Sequence, residues 1–167
     1  MAGQILGVYF KSIIGTMLAS TTELLFPEHR RRIAEMQDDL WYPWEDYVQM
    51  TNDLHARLSD ASLQAIGQAT TVKTLPLNKA AGFDSVERVF RRFEALSADV
   101  IRGVPPEESL HTVSFTEDSA VLEGQTRLPI PLLLGFFRGI LIGFGRVLLS
   151  EEVTQDGSTT RITLKWS

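Results

Sequence analysis

The stretch Leu128–Leu149, LPIPLLLGFFRGILIGFGRVLL, decides how the rest of this chain is read. Its length matches a bilayer span. Arg138 falls near its centre, at an insertion cost of roughly 2.5–3.5 kcal/mol on translocon scales. Two prolines and four glycines interrupt it. The segments on either side alternate like soluble sheet. The spacing therefore predicts a buried core helix from about Pro129 to Leu149, apolar all round because protein covers it on every side.

Within that helix Gly135, Gly139 and Gly143 recur at i, i+4 and i+8, which aligns them on one face. Each costs roughly 1 kcal/mol of helix stability against Ala, so the bare face needs a compensating contact. Three contacts qualify: close approach of another helix or the sheet, a flat or elongated ligand lying along the face, or a second copy of the chain. Arg138 lies about 100° from Gly139 and about 60° from Gly135, so it flanks the face. It meets either an acidic group of a ligand or a carboxylate of the protein.

On the N-terminal side of this helix, residues 110–115 alternate and pause at Thr116–Ser119. They return as Ala120–Gly124, which predicts a hairpin. On the other side, Ser150–Thr154 and Thr160–Trp166 flank Asp156-Gly157, a strong hairpin signal. Further upstream the period is helical. Ile13, Met17 and Leu18 follow a short extended entry, and Pro27 and Pro43 sit where helices start. Ser59 and Asp60 open another helix that Leu75-Pro76 ends. Asp84, with Glu87, opens a long helix over 85–101, closed by Gly103 and Pro105-Pro106. The expected fold is α+β: N-terminal helices, a hairpin, the glycine-bearing core helix and a closing hairpin, with the two hairpins forming a four-stranded antiparallel sheet. No linker or repeat divides residues 1–167, so one domain is expected.

Composition narrows the function classes. The chain is 44% hydrophobic and 22% charged with mean hydropathy near zero, as in a soluble globular protein. A net charge of -5 argues against nucleic acid as partner. The absence of cysteine removes thiol nucleophiles and Cys-ligated metal sites. With no secretory n-region at the start, a cytoplasmic location is expected. His29, His55 and His111 show no metal spacing, and no nucleophile–base pair stands out, so no enzyme activity is expected. His29 and His55 read as solvated. His111, on a strand with Val113 and Phe115, is either a satisfied partly buried histidine or an axial haem ligand. The aromatic cluster Trp41, Tyr42, Trp44 and Tyr47 serves packing, a ligand pocket or a partner surface.

The order of elements resembles the haem–nitric oxide binding (H-NOX) fold and the related 4-vinyl reductase small-molecule-binding domains. The segments Gly7–Ser12, Trp41–Trp44, Gly135–Leu141 and Ile162–Trp166 resemble an uncharacterised bacterial branch of that group. The H-NOX family's Tyr-x-Ser-x-Arg propionate motif is missing here, and its proximal histidine lies on a helix, unlike His111. The resemblance therefore implies a scaffold enclosing a hydrophobic pocket but does not carry haem with it.

The expectation is a non-enzymatic small-molecule-binding or sensor-type domain for a hydrophobic ligand. Its pocket is expected between the core helix, the sheet and the N-terminal helices. The candidate binding residues are Gly135, Arg138, Gly139, Gly143, Trp41, Trp44 and Tyr47. No cofactor is expected, haem on His111 being the lesser alternative. The other reading is a protein-interaction module in which the aromatics dock a second copy or a signalling partner.

Overall fold

The structure is a computed structural model and describes residues 2–167. Met1, the first residue of the expected single domain, lies outside the described residues. The chain enters as strand β1 (Gln4–Leu6), then forms helices α1 (Gly7–Gly15), α2 (Ala19–Leu25) and α3 (Pro27–Ala34). Strand β2 (Trp41–Pro43) runs straight into α4 (Trp44–Arg57), followed by α5 (Asp60–Ala80). Two short helices, α6 (Val86–Phe90) and α7 (Phe93–Val100), lead to β3 (Ile101–Arg102). Then come β4 (His111–Thr116), β5 (Ser119–Gly124), α8 (Ile130–Gly143), β6 (Leu148–Asp156) and β7 (Thr159–Trp166).

The last four strands form the expected antiparallel sheet, in the order β4-β5-β7-β6. β5 and β7 are central, so their inward residues Ala120, Leu122, Ile162, Leu164 and Trp166 are buried. A second, small sheet was not legible in the sequence. It has the order β2-β1-β3 and pairs Ile5 with both Tyr42 and Ile101. It pins the start of the chain to two distant segments.

Three helix boundaries differ from the sequence reading, each for an identifiable reason. The helix expected over 85–101 breaks at Arg91-Arg92. There the Thr112 hydroxyl of β4 accepts from Phe93 N and donates to Phe90 O, both at 2.9 Å. One side chain satisfies the donor and the acceptor that the break frees. Its N-cap is Ser85, whose hydroxyl accepts from Arg88 N, and not Asp84. α5 does not stop at Pro76 but carries it inside a 21-residue helix. The carbonyl that loses its donor belongs to Val72, a residue 45% exposed.

The third boundary concerns the decisive stretch. α8 ends at Gly143, not Leu149. Gly145 adopts φ +71°, Gly145 N donates to Ile142 O and Arg146 N donates to Leu141 O. This paired closure ends a helix and turns the chain away, and it needs a residue tolerant of positive φ. At 14 residues α8 is about 21 Å long, short of the ~30 Å hydrocarbon core. No helix among the described residues is long and apolar enough to cross a membrane.

The buried side chains form two clusters. One joins Phe10, Ile13, Tyr47, Leu54 and Leu63 of the N-terminal helices. The other joins Phe90, Leu122, Phe137, Ile162 and Trp166 around the sheet. α8 borders both, with Leu132 in the first cluster and Leu133, Phe137 and Ile140 in the second. Val100, Leu128 and Phe136 pack against both.

Candidate functional site

The glycine face of α8 is closed. A Cβ on Gly135 would overlap the Gln64 carbonyl oxygen of α5. One on Gly139 would lie 2.6 Å from the Gln68 carbonyl oxygen, and one on Gly143 would strike the Leu75 side chain. α5 answers with Gly67, whose own Cβ position is 3.1 Å from Gly135 Cα. The two backbones therefore touch along a seam, and of the three contacts left open by the sequence the helix–helix approach is the one found. No space remains on that face for an elongated ligand, which corrects the expectation that Gly135, Gly139 and Gly143 line a pocket. Arg138 is also displaced from the binding role expected of it: its guanidinium holds the Glu151 carboxylate of β6 through both Nε and a second nitrogen.

The space lies elsewhere around the same helix. Leu133, Phe136 and Ile140 border a cavity of about 140 Å³. Phe136 and Ile140 each follow a seam glycine by one residue, so they project about 100° round the helix from it. α7 supplies the next wall through Phe93, Leu96, Ser97 and Val100, at i, i+3, i+4 and i+7. α5 supplies Thr70, Thr71, Thr74 and Asn78, the N-terminal part supplies Ile5, Tyr9, Trp44 and Tyr47, and Ile101, Glu108, Ser109, Leu110, Thr126 and Leu128 complete the lining. The core helix and the N-terminal helices border the cavity as expected, but no residue of β4–β7 does; Ile5 of β1 and Ile101 of β3, from the small sheet, are its strand residues.

Of the expected aromatic cluster the structure brings Trp44 and Tyr47 to this cavity. They are 5% and 3% exposed, with rings stacked at 5.6 Å. Trp41 is not part of the lining. Its ring carries the Arg102 guanidinium at 4.0 Å, and Tyr42 uses its hydroxyl to accept from Gln37 N. Tyr9 and the α5 threonines escaped the sequence reading. They belong to different helices and carry no motif, and only the packing of α1 on α5 joins them.

The polar atoms at the cavity divide into satisfied and unsatisfied. Tyr9 donates to Asn78 Oδ1 at 3.4 Å. Thr74 donates to Thr70 O, and Thr70 to Ser12 O. Trp44 Nε1 is buried with no hydrogen-bond partner among the described residues. An indole N–H can only donate, so its buried position is costly, about 1–3 kcal/mol, until an acceptor arrives. Burial pushes the Tyr9 phenol up to about 12, with Asp99 adding to the rise. Burial, and then Tyr9 beside it, raises Tyr47 as well. Both phenols therefore stay protonated at neutral pH and remain donors.

Beside the cavity, Arg127 bridges two elements. It meets Glu45 of α4 through two nitrogens, at 2.5 and 2.7 Å, and Glu108 at 3.6 Å. The hydrogen bond from Arg127 holds the Glu45 carboxyl below its ordinary value.

The residues present do not fit haem. His111 is exposed at the start of β4, because a bulge between Thr112 and Ser114 breaks the alternation that was to carry it inward with Phe115. His29 pairs with Asp53 and His55 with Asp60, so none of the three histidines borders the cavity. Glu108 is its one charged lining residue among the described residues, where propionates would need cations. The volume matches a cavity that holds benzene, at about 150 Å³, and not a macrocycle.

No protein-family model and no curated protein matches the sequence. Solved structures do match by shape. The Fe(II) unliganded H-NOX protein from K. algicida superposes with a TM-score of 0.63 at 11% identity, covering 98% of this chain and 97% of its own. A variant of the T. tengcongensis H-NOX gives 0.61 at 14% identity, over 96% and 94%. An oxygen-binding H-NOX domain related to soluble guanylate cyclases gives 0.60 at 13% identity, over 96% and 92%. Over nearly its whole length the chain has the H-NOX fold, as its order of elements led one to expect, and at these identities it is the fold that is shared.

Proposed function

We propose that this protein is a non-enzymatic, sensor-type domain that binds a small apolar molecule in the helix-walled cavity. The observation that carries the reading is a roughly 140 Å³ space lined by aromatic and aliphatic side chains together with an unpartnered buried indole N–H. Well-packed interiors leave few voids larger than water, and an apolar one of this size is suited to a ligand. The shared fold supports the reading, since one of the similar structures is an oxygen-binding H-NOX domain. The donor set and size of the cavity differ from what a haem needs, so the ligand here is taken up directly by protein side chains.

A signal can follow from the placement of the walls. Ile5, Trp44 and Tyr47 belong to the N-terminal cluster, and Leu96, Leu110, Leu133 and Ile140 to the sheet cluster. An occupant touches both clusters at once and favours the arrangement in which they close on it. A partner that reads the relative position of the clusters then senses occupancy. The competing reading, an aromatic docking face, lacks its surface, because Trp44 and Tyr47 are inside.

Native mass spectrometry of the protein as purified, against its denatured mass, tests the proposal. A reproducible non-covalent excess of a small organic mass, or uptake of a single-ring apolar compound added to the bare chain, is expected. A bare chain that takes up no such compound contradicts it.

A further inference from the structure

The cavity restricts what it can hold beyond size. Its aromatic wall ends in donors. Trp44 Nε1 has no partner among the described residues. Of the two tyrosines on the lining, Tyr9 donates to Asn78 Oδ1, whereas no hydrogen bond from Tyr47 is found among the described residues. The threonines Thr70 and Thr74 give their hydroxyl protons to backbone carbonyls, and neither makes a hydrogen bond with Trp44 Nε1. The charged lining residue is Glu108, with Arg127 beyond it at 3.6 Å. A carboxylate on the lining, with no cation there, repels an anion. A cation would face two protonated donors. The remaining ligand is neutral and brings its own acceptor.

Resting on the ligand-binding reading above, we propose that the cavity selects a neutral molecule of single-ring size that carries one carbonyl-type acceptor, received by Trp44 Nε1 and the Tyr47 hydroxyl. The apolar walls from α7 and α8 take the ring, and the stacked Trp44–Tyr47 pair takes the oxygen. Without the oxygen a buried donor stays unpaired, so an isostere lacking it loses affinity even though it fits.

The test uses acetophenone and α-methylstyrene, which share a ring and outline but differ in C=O against C=CH₂. Each is titrated into the protein and its affinity read by ligand-observed NMR. Acetophenone is expected to bind about tenfold more tightly than α-methylstyrene. The ratio is expected to fall toward one in Trp44→Phe and to drop in part in Tyr47→Phe. Ratios are compared, so a change in cavity size that shifts both affinities does not matter. Equal binding of the two probes by the unaltered protein overturns the acceptor inference and leaves the ligand site standing. A preference that survives in the Trp44→Phe, Tyr47→Phe double variant overturns the assignment to these donors. Binding of neither probe overturns the ligand-binding reading itself, and this inference with it.

Discussion

One side of α8 carries Gly135, Gly139 and Gly143 and meets α5 closely, against its backbone at the first two and against the Leu75 side chain at the third. The side about 100° round carries Phe136 and Ile140, with Leu133 beside them, and meets open space. The glycines, which looked like a groove in the sequence, are the tightest packing in the helix. The bulky residues, which looked like ordinary core, border the cavity. The difference has a geometric cause. Removing side chains from one face lets α5 come so near that nothing else fits. α7 and the N-terminal part face α8 across the cavity through large side chains such as Phe93, Leu96, Trp44 and Tyr47. Small residues in a helix thus mark where a neighbour is close, and an open site forms where large side chains from several elements fail to interdigitate.

The contrast can be broken most severely at the seam. Gly135→Ala adds a methyl group that overlaps the Gln64 carbonyl, a backbone atom that cannot rotate away. It is expected to cost about 2–3 kcal/mol of unfolding free energy in urea, despite the ~1 kcal/mol that Ala gains in helix propensity. Ser97→Leu makes the opposite change on the cavity side. Ser97 is half-buried and borders free volume. The larger side chain is expected to alter stability by less than about 1 kcal/mol, while uptake of single-ring compounds falls by about tenfold or more. If Ser97→Leu were as damaging as Gly135→Ala, the two sides would not differ in packing.

Two smaller effects sharpen the comparison, at polar contacts that lie beside the cavity walls. Glu94 stands in the first turn of α7 and accepts from Thr112 N at 3.2 Å. Partial desolvation raises its pKa, but hydrogen bonds from its own backbone and Thr112, together with Arg92, outweigh that and leave it lowered. A lowered folded value gives stability that is full above the ordinary glutamate range and is lost as pH falls through the folded pKa. Glu94→Gln is expected to remove that acid-sensitive part, roughly 0.5 kcal/mol for a group this exposed, as read from urea midpoints across pH 3–6. Smallest of all, Arg127→Ala releases an exposed clasp. It is expected to cost less than ~1 kcal/mol and to lose its effect in high salt. A larger, salt-independent loss would mean that Arg127 shapes the cavity wall directly.

Much of the architecture follows from local pattern. The Asp156-Gly157 hairpin, the alternation of Ile162, Leu164 and Trp166, and the largely apolar run of α8 each depend on neighbours in sequence, and each is found. The break at Arg91-Arg92 depends on Thr112, about twenty residues away, so no local pattern contains it. The passage of α5 through Pro76 depends on which side of the helix faces solvent. For the site, Trp44 and Tyr47 were legible because aromatic residues at i and i+3 share a helix face. Tyr9, Thr70 and Ser97 were not, since only the packing of three separate helices makes them neighbours. The role of the glycines was ambiguous for a related reason: their spacing requires a close contact and does not say with what.

The central claim is that the open side of α8 lies among Trp44, Leu96, Leu133 and Ile140, and that the glycine side is closed. A crystal of the protein under xenon pressure tests it most directly, because xenon enters dry apolar cavities of this size. The account predicts one strong xenon peak bordered by those four side chains and none between α5 and α8. A peak along Gly135, Gly139 and Gly143, or no xenon bound within the helices at all, would contradict it.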